Sequence, residues 1–176
     1  MKTLLDEKQL HEGVQGLANQ INELYGEKPL TIIGIMTGSI ILMADVVRLL
    51  RMPLRVGVVQ TSSYQGTQRQ QIRINIDLMP DITGREVLLI DDIFDTGHTL
   101  TEVISLMGEL RPATLRSAVL LSKTGRCEVE LKPDFSVFDI PDEFVVGYGL
   151  DYNDEYRNLP FVAALEPDDI EHSSHP

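Results

Sequence analysis

The chain has 176 residues, 43% of them hydrophobic and 24% charged, enough length and apolar content for one domain with a real core. Its net charge of −12 argues against general binding to nucleic acid or to anionic membranes, both of which reward clustered Lys and Arg. The single cysteine, Cys127, excludes an internal disulfide and a cysteine-based zinc site, and a lone cysteine is more often a small buried residue than a nucleophile.

Residues 4–25 carry apolar side chains at Leu10, Val14, Leu17, Ile21 and Leu24, a helical spacing. The N-terminal residues lack the apolar core of a signal peptide and no apolar run is long enough to cross a bilayer, so a cytoplasmic protein is expected. Leu30–Ile35 reads as a strand ending in Met36-Thr37-Gly38-Ser39, Ile40–Leu50 as a helix and Leu54–Val59 as the next strand. Residues 61–85 are long and polar, as functional lids and partly formed hairpins are. Val87–Ile90 is short, branched and unbroken by polar residues, the pattern of a buried parallel strand. A helix follows over 100–110, with Pro112 at its exit, then strands at Leu115–Leu121, Phe135–Phe138, Phe144–Val146 and Phe161–Ala164. Strands alternating with helices predict an α/β fold, a parallel sheet with helices on both faces. The acidic tail, 166–176, has no Lys or Arg and reads as a frayed, solvated end.

Residues 87–99, Val-Leu-Leu-Ile-Asp-Asp-Ile-Phe-Asp-Thr-Gly-His-Thr, hold the densest chemistry. Asp91 and Asp92 fall at the carboxyl end of a strand, where open α/β sheets bind ligands. Thr96, Gly97 and Thr99 then gather hydroxyls and backbone N–H groups at a helix N-terminus, a seat for phosphate. Carboxylates beside such a seat repel phosphate unless a divalent cation or sugar hydroxyls stand between them, so a metal-assisted site for a phosphorylated sugar is expected. The plain alternative is a solvated strand end in which Asp91 and Asp92 cap the next helix. Asp95 tilts the balance, because three acids within five residues repel one another strongly. A Walker-type nucleotidase is set aside because the chain lacks Gly-x-x-x-x-Gly-Lys-Ser/Thr.

In residues 148–157, Asp151 offers a carboxylate for magnesium and Arg157 a planar fork of donors for a leaving pyrophosphate, against the alternative of a polar surface loop. His11, His98, His172 and His175 lack metal-ligand spacing, so no zinc site is expected. His98 stands inside the phosphate turn, where a solvent-facing turn residue is the alternative.

Asp91-Asp92-Ile93-Phe94-Asp95-Thr96-Gly97-His98-Thr99 resembles the phosphoribosyl diphosphate (PRPP) signature of the type I phosphoribosyltransferases. Lys132-Pro133-Asp134-Phe135, Ile140-Pro141-Asp142-Glu143-Phe144-Val145-Val146-Gly147-Tyr148, and Leu150-Asp151-Tyr152-Asn153 with Arg157 resemble the 6-oxopurine branch, which contains the hypoxanthine–guanine phosphoribosyltransferases. The likeness runs over residues 30–165. It implies that family's fold, a parallel sheet with helices on both faces and a small hood. It also implies its reaction: a purine ring nitrogen displaces pyrophosphate from PRPP, giving a nucleoside monophosphate, with Mg2+ required.

By resemblance, Asp91 and Asp92 hold the ribose hydroxyls and the metal, directly or through water, and Asp151 binds it directly at the edge of the purine site. Asp95 acts as general base, and the turn Asp95, Thr96, Gly97, His98, Thr99 grips the 5′-phosphate. Thr37 and Gly38 belong to a pyrophosphate loop, with Arg157 as a further pyrophosphate contact. Lys123 donates to the purine 6-oxo group, Phe144 stacks on the ring and the Val145 carbonyl accepts from ring N–H groups. Ser63 and Tyr64 match a lid that excludes water. A homodimer or homotetramer is implied.

Three positions depart from the pattern: Thr37 where some relatives carry Lys or Arg, Asp91 where many carry Glu, and His98 where a basic residue is common, which would make phosphate affinity pH-dependent. The runner-up reading is a regulatory protein on the same fold that senses nucleotides and binds RNA. Such proteins carry a non-acidic residue where Asp95 stands, and this chain has no evident basic stripe.

Overall fold

The computed structural model describes residues 1–64, 71–166 and 169. In chain order these form β1 (Lys2–Leu5), α1 (Glu7–Tyr25), β2 (Leu30–Met36), α2 (Ile40–Leu49), β3 (Leu54–Tyr64), β4 (Gln71–Asn75), β5 (Glu86–Phe94), α3 (His98–Glu109), β6 (Thr114–Lys123), β7 (Phe135–Ile140), β8 (Val145–Val146) and β9 (Val162–Ala164). Among these elements no helix is long and apolar enough to cross a membrane.

The main sheet has six strands in the order β4-β3-β2-β5-β6-β7, parallel except for β4, which returns antiparallel beside β3. Successive residues of a strand point to opposite faces, so the apolar runs supply two cores. Ile32, Leu88, Ile90 and Leu120 pack with Leu10, Val14, Leu42 and Val46 of α1 and α2. Ile33, Ile35, Val87, Leu89 and Val119 pack with Leu100, Val103 and Met107 of α3 on the other face. A second, antiparallel sheet of order β1-β9-β8 provides the expected hood.

From β2 the chain crosses to β3 on one side, and from β5 it crosses to β6 on the other. The gap between β2 and β5 is therefore the topological switch point, where ligands bind beyond the carboxyl ends of the strands. Pairing of β2 with β5 ends at Gly34 and Ile90, yet β5 continues beside β6 as far as Phe94 opposite Ser122. Asp91 and Asp92 thus lie within β5, past the end of the expected strand, where β2 no longer pairs with it.

The structure corrects the helix expected from residue 4. Asp6 caps α1 through a capping box, its carboxylate accepting from the Gln9 N–H at 2.8 Å and its own N–H donating to Gln9 Oε1 at 2.9 Å. Residues 2–5 instead pair with β9, a tertiary contact that a helical spacing of Leu4 and Leu5 does not reveal. The long polar segment contains the β3–β4 hairpin, and residues 65–70 lie outside the described residues. Most of the expected frayed tail lies outside them too. Asp169 does not fray: with Glu166 it holds the N-terminal ammonium, at 2.7 and 3.0 Å.

Leu120 is fully buried on β6, between β5 and β7. Leu120→Ala is expected to cost about 2–5 kcal/mol, seen as a lower urea midpoint with an unchanged m-value.

Candidate active site

Thr37, Gly38, Asp91, Asp92, Asp95, Thr96, Gly97, Thr99, Asp151 and Arg157 line one cavity of about 380 Å³ at the switch point. Thr61 of β3, missed in the sequence because it opens a long polar segment, also faces it. The residues come from the loop after β2, the end of β5, the turn into α3 and the loop after β8. Gly97 takes φ +90° ahead of α3, and a Cβ there would lie 2.4 Å from Val129 Cγ2, so the phosphate turn needs glycine.

Glycine also lets the loops close on the acids. A Cβ on Gly38 would fall 1.6 Å from Asp92 Oδ2, and one on Gly149 (φ +103°) 2.1 Å from the Gly38 carbonyl oxygen. The segment after β8 winds through positive φ at Gly147, Tyr148, Gly149, Asn153, Asp154 and Tyr156, which turns Asp151 and Arg157 inward. Arg157 donates to the Gly149 carbonyl at 2.8 Å and pairs with Asp151 Oδ1 at 2.8 Å. Asp151 Oδ2 accepts from the Asp154 N–H at 2.9 Å.

Asp91 is only 7% exposed and accepts from the Asp92 N–H at 3.0 Å. Burial, with the Asp92 charge beside it, pushes Asp91 well above the usual carboxylate range. Burial also raises Asp92, opposed by its hydrogen bonds with Asp91 and the Ile93 N–H and by the Arg157 charge. Two carboxylates held against their own ionisation fit a divalent cation, and every donor here is a hard oxygen suited to Mg2+. Among the described residues no three His, Cys, Asp or Glu side chains converge on one point. The protein would therefore supply one or two carboxylates, with substrate oxygens and water completing the shell.

Asp95 stands where the phosphate cavity meets a second group. Its Oδ1 is buried and, among the described residues, accepts no hydrogen bond, although Arg126 Nε lies 3.2 Å away. Its Oδ2 is 3.5 Å from the Lys123 ammonium, which is itself 3.4 Å from Asp142 Oδ1. Lys123 is 7% exposed, a buried charge balanced by two acids. Arg126 and Asp142 were not singled out in the sequence: Asp142 sits in a quoted motif, but only the register of β6 and β7 reveals their contact.

Phe144, 51% exposed, presents an unusual free aromatic face and meets Tyr152 edge-on at 5.5 Å. Its carbonyl accepts from the Leu165 N–H at 2.9 Å. One residue on, the Val145 carbonyl must point the opposite way, to the open edge of the three-stranded sheet, where it is available as an acceptor. Lys123, Phe144 and Val145 do not line the phosphate cavity itself.

The His98 side chain also lies outside that cavity. It is exposed, with Nε2 at 2.9 Å from Glu128 Oε2, and its backbone opens α3 directly after the turn. Cys127 is exposed, contrary to the expectation of a buried residue, because it sits in the turn after β6, where its Sγ reaches the Val129 carbonyl at 3.0 Å. Ser63 and Tyr64 end β3, and their side chains lie outside the described residues.

The family model for the phosphoribosyl transferase domain matches residues 1–153, and the chain belongs to the phosphoribosyltransferase family. Within it, the chain is similar to the hypoxanthine phosphoribosyltransferase of Haemophilus influenzae, 41% identical over 167 residues, 92% of this chain and 93% of that one. It is 40% identical to the hypoxanthine-guanine phosphoribosyltransferase of Aquifex aeolicus over 169 residues, 94% of this chain and 95% of that one. Among solved structures, a Bacillus anthracis hypoxanthine-guanine phosphoribosyltransferase superposes with a TM-score of 0.90 at 34% identity, covering 94% of this chain and 99% of that one. The Trypanosoma cruzi hypoxanthine phosphoribosyltransferase in complex with IMP gives 0.89 at 35% identity, covering 96% and 95%.

A raised carboxyl pKa destabilises the fold once pH climbs above the ordinary aspartate range, because the native state then holds a proton that the unfolded state has released. Asp91→Asn is expected to raise the Tm of metal-free protein at pH 7 by about 2–4 °C, an advantage that vanishes below about pH 4, as calorimetry across pH would show. Gly38→Ala is expected to weaken PRPP binding about tenfold or more by driving the loop off Asp92, measured by titration calorimetry.

Proposed function

We propose that this chain is a purine-salvage enzyme that transfers the 5-phosphoribosyl group of PRPP to hypoxanthine or guanine, giving IMP or GMP and pyrophosphate, with xanthine a third base to be tested. The observation that carries the reading is the buried, unbonded Asp95 Oδ1, set between a phosphate turn and the Lys123 ammonium. A proton acceptor at that point serves a ring N–H of a bound purine. An ammonium can only donate, so Lys123 favours a 6-oxo group over the amino group of adenine. Phe144 stacks on the ring, and the Val145 carbonyl accepts from its N–H groups.

On the sugar side, the backbone N–H groups and hydroxyls of residues 95–99 grip the 5′-phosphate at the start of α3. Asp91 and Asp92 orient the ribose hydroxyls. Arg157 and the loop of Thr37 and Gly38 take the pyrophosphate, which draws Arg157 away from Asp151. Asp151, with Asp91 and Asp92 directly or through water, would hold Mg2+; when bound, the ion neutralises charge on the departing pyrophosphate. The end of β3, with Ser63 and Tyr64, closes over the reaction and keeps water from the ribosyl cation. We place the enzyme in the cytoplasm as an assembly of two or four copies, with no nucleic-acid partner.

Purified protein given PRPP and magnesium is expected to release pyrophosphate when hypoxanthine or guanine is added. Absence of release with hypoxanthine, guanine and xanthine alike would overturn the proposal. Asp95→Asn is expected to lower kcat by about 100-fold or more while PRPP affinity holds within about threefold. Equal losses in turnover and affinity would instead make Asp95 a binding residue.

A further inference from the structure

A base that accepts a proton and an ammonium that donates to an oxo group defeat one another if they close into a tight ion pair. Lys123 and Asp95 stay apart here. The ammonium lies 3.5 Å from Asp95 Oδ2 and 3.4 Å from Asp142 Oδ1, both long for charge-assisted hydrogen bonds. Arg126 closes a ring on the other side, with Nε 3.2 Å from Asp95 Oδ1 and Nη1 3.1 Å from Asp142 Oδ1. Cations and anions alternate around it. The Arg126 N–H is not aligned with Asp95 Oδ1, so the guanidinium lends charge without occupying the acceptor.

Strand register builds this ring. Lys123 ends β6 and pairs with Ile140 at the end of β7, two residues before Asp142. Thr124 fastens the following turn to the same place, its N–H and its hydroxyl both donating to the Ile140 carbonyl at 3.0 and 3.2 Å. Arg126 extends from that turn toward both acids.

We propose that Arg126 and Asp142 are positioning residues: Arg126 steadies Asp95 as a charged acceptor, and Asp142 holds the Lys123 ammonium back from it, so that both remain available to the purine. The inference rests on Asp95 and Lys123 being the residues that meet the base. Other charges also face Asp95: Asp91 and Asp92 of β5, Asp151 and Arg157 across the cavity, and Glu128, which neighbours Arg126 and pairs with His98. All of these are unchanged in the variants below.

The test measures kcat, and KM for hypoxanthine and for PRPP, for wild type, Arg126→Gln, Arg126→Lys, Asp142→Asn and Asp95→Asn, with urea midpoints to confirm folding. Arg126→Gln should lower kcat with hypoxanthine about 5–10-fold at an unchanged KM for PRPP, and Arg126→Lys should restore most of the loss. Asp142→Asn should raise KM for hypoxanthine about 5–10-fold and leave KM for PRPP unchanged. Three results would overturn the proposal: an unchanged kcat for Arg126→Gln, a lysine variant no better than the glutamine one, or equal KM increases for both substrates in Asp142→Asn. Asp95→Asn separates the two levels. Full turnover in that variant removes the base reading and this inference with it; lost turnover beside an unchanged kcat for Arg126→Gln removes the inference alone.

Discussion

The hydrogen-bond ladder between β2 and β5 ends at Gly34 and Ile90, and β5 runs on to Phe94 with only β6 at its side. That parting creates the site. Backbone groups on the open side of β5 have lost their sheet neighbour, and Asp91 and Asp92 stand on the part of the strand that this leaves open. Because the crossovers leave β2 and β5 in opposite directions, both following loops bend away and the opening remains clear. The 36–39 loop fills one wall, and Gly38 alone allows it to come within reach of Asp92. The turn of residues 95–97 fills another, with Gly97 making room under Val129.

The opening holds charge that the fold tolerates at a cost. Among the described residues, Asp91, Asp92, Asp95 and Asp151 share the cavity with one cation, Arg157. Burial makes ionised Asp91 unfavourable, and this penalty is what substrate hydroxyls and a bound ion would relieve. Arg157 is committed to Asp151 and the Gly149 carbonyl, so it is held ready near the place where a pyrophosphate would compete for it. The Asp151 carboxylate has both oxygens engaged in the same network, so a group that drew Arg157 away would free Asp151 Oδ1.

The legible parts of the sequence were those with a one-dimensional signature. Val87–Ile90 is an unbroken apolar run, and Asp91, Asp92 and Asp95 follow it at fixed offsets, so strand, acids and phosphate turn could be read together. Residues 2–5 could not: their identity as a strand depends on β9, more than 150 positions away. Arg126 and Asp142 escaped for the same reason, since their meeting is decided by which residue of β6 lies beside which residue of β7. Cys127 misled because burial frequency says nothing about a turn. His98 showed the converse, a residue in the right motif whose side chain goes to Glu128 while its backbone stays in the turn.

The residues proposed to meet the purine divide between the two sheets. Lys123 ends a central-sheet strand, whereas Val145 lies on the edge strand of the small sheet, its outward carbonyl fixed by the Phe144–Leu165 hydrogen bond. A base held by both, as proposed, would span the seam. Inside the β8–β9 connection Tyr148 donates to the Leu159 carbonyl at 2.9 Å and Gly149 to the Arg157 carbonyl at 3.0 Å, while the Tyr148 hydroxyl ties the segment to Asp45 of α2 at 2.6 Å. Those same bonds set the approach of Arg157 to the phosphate cavity. In the proposed reading one loop would thus set both ends of the substrate, because the segment that follows Val145 also carries Arg157 to the cavity.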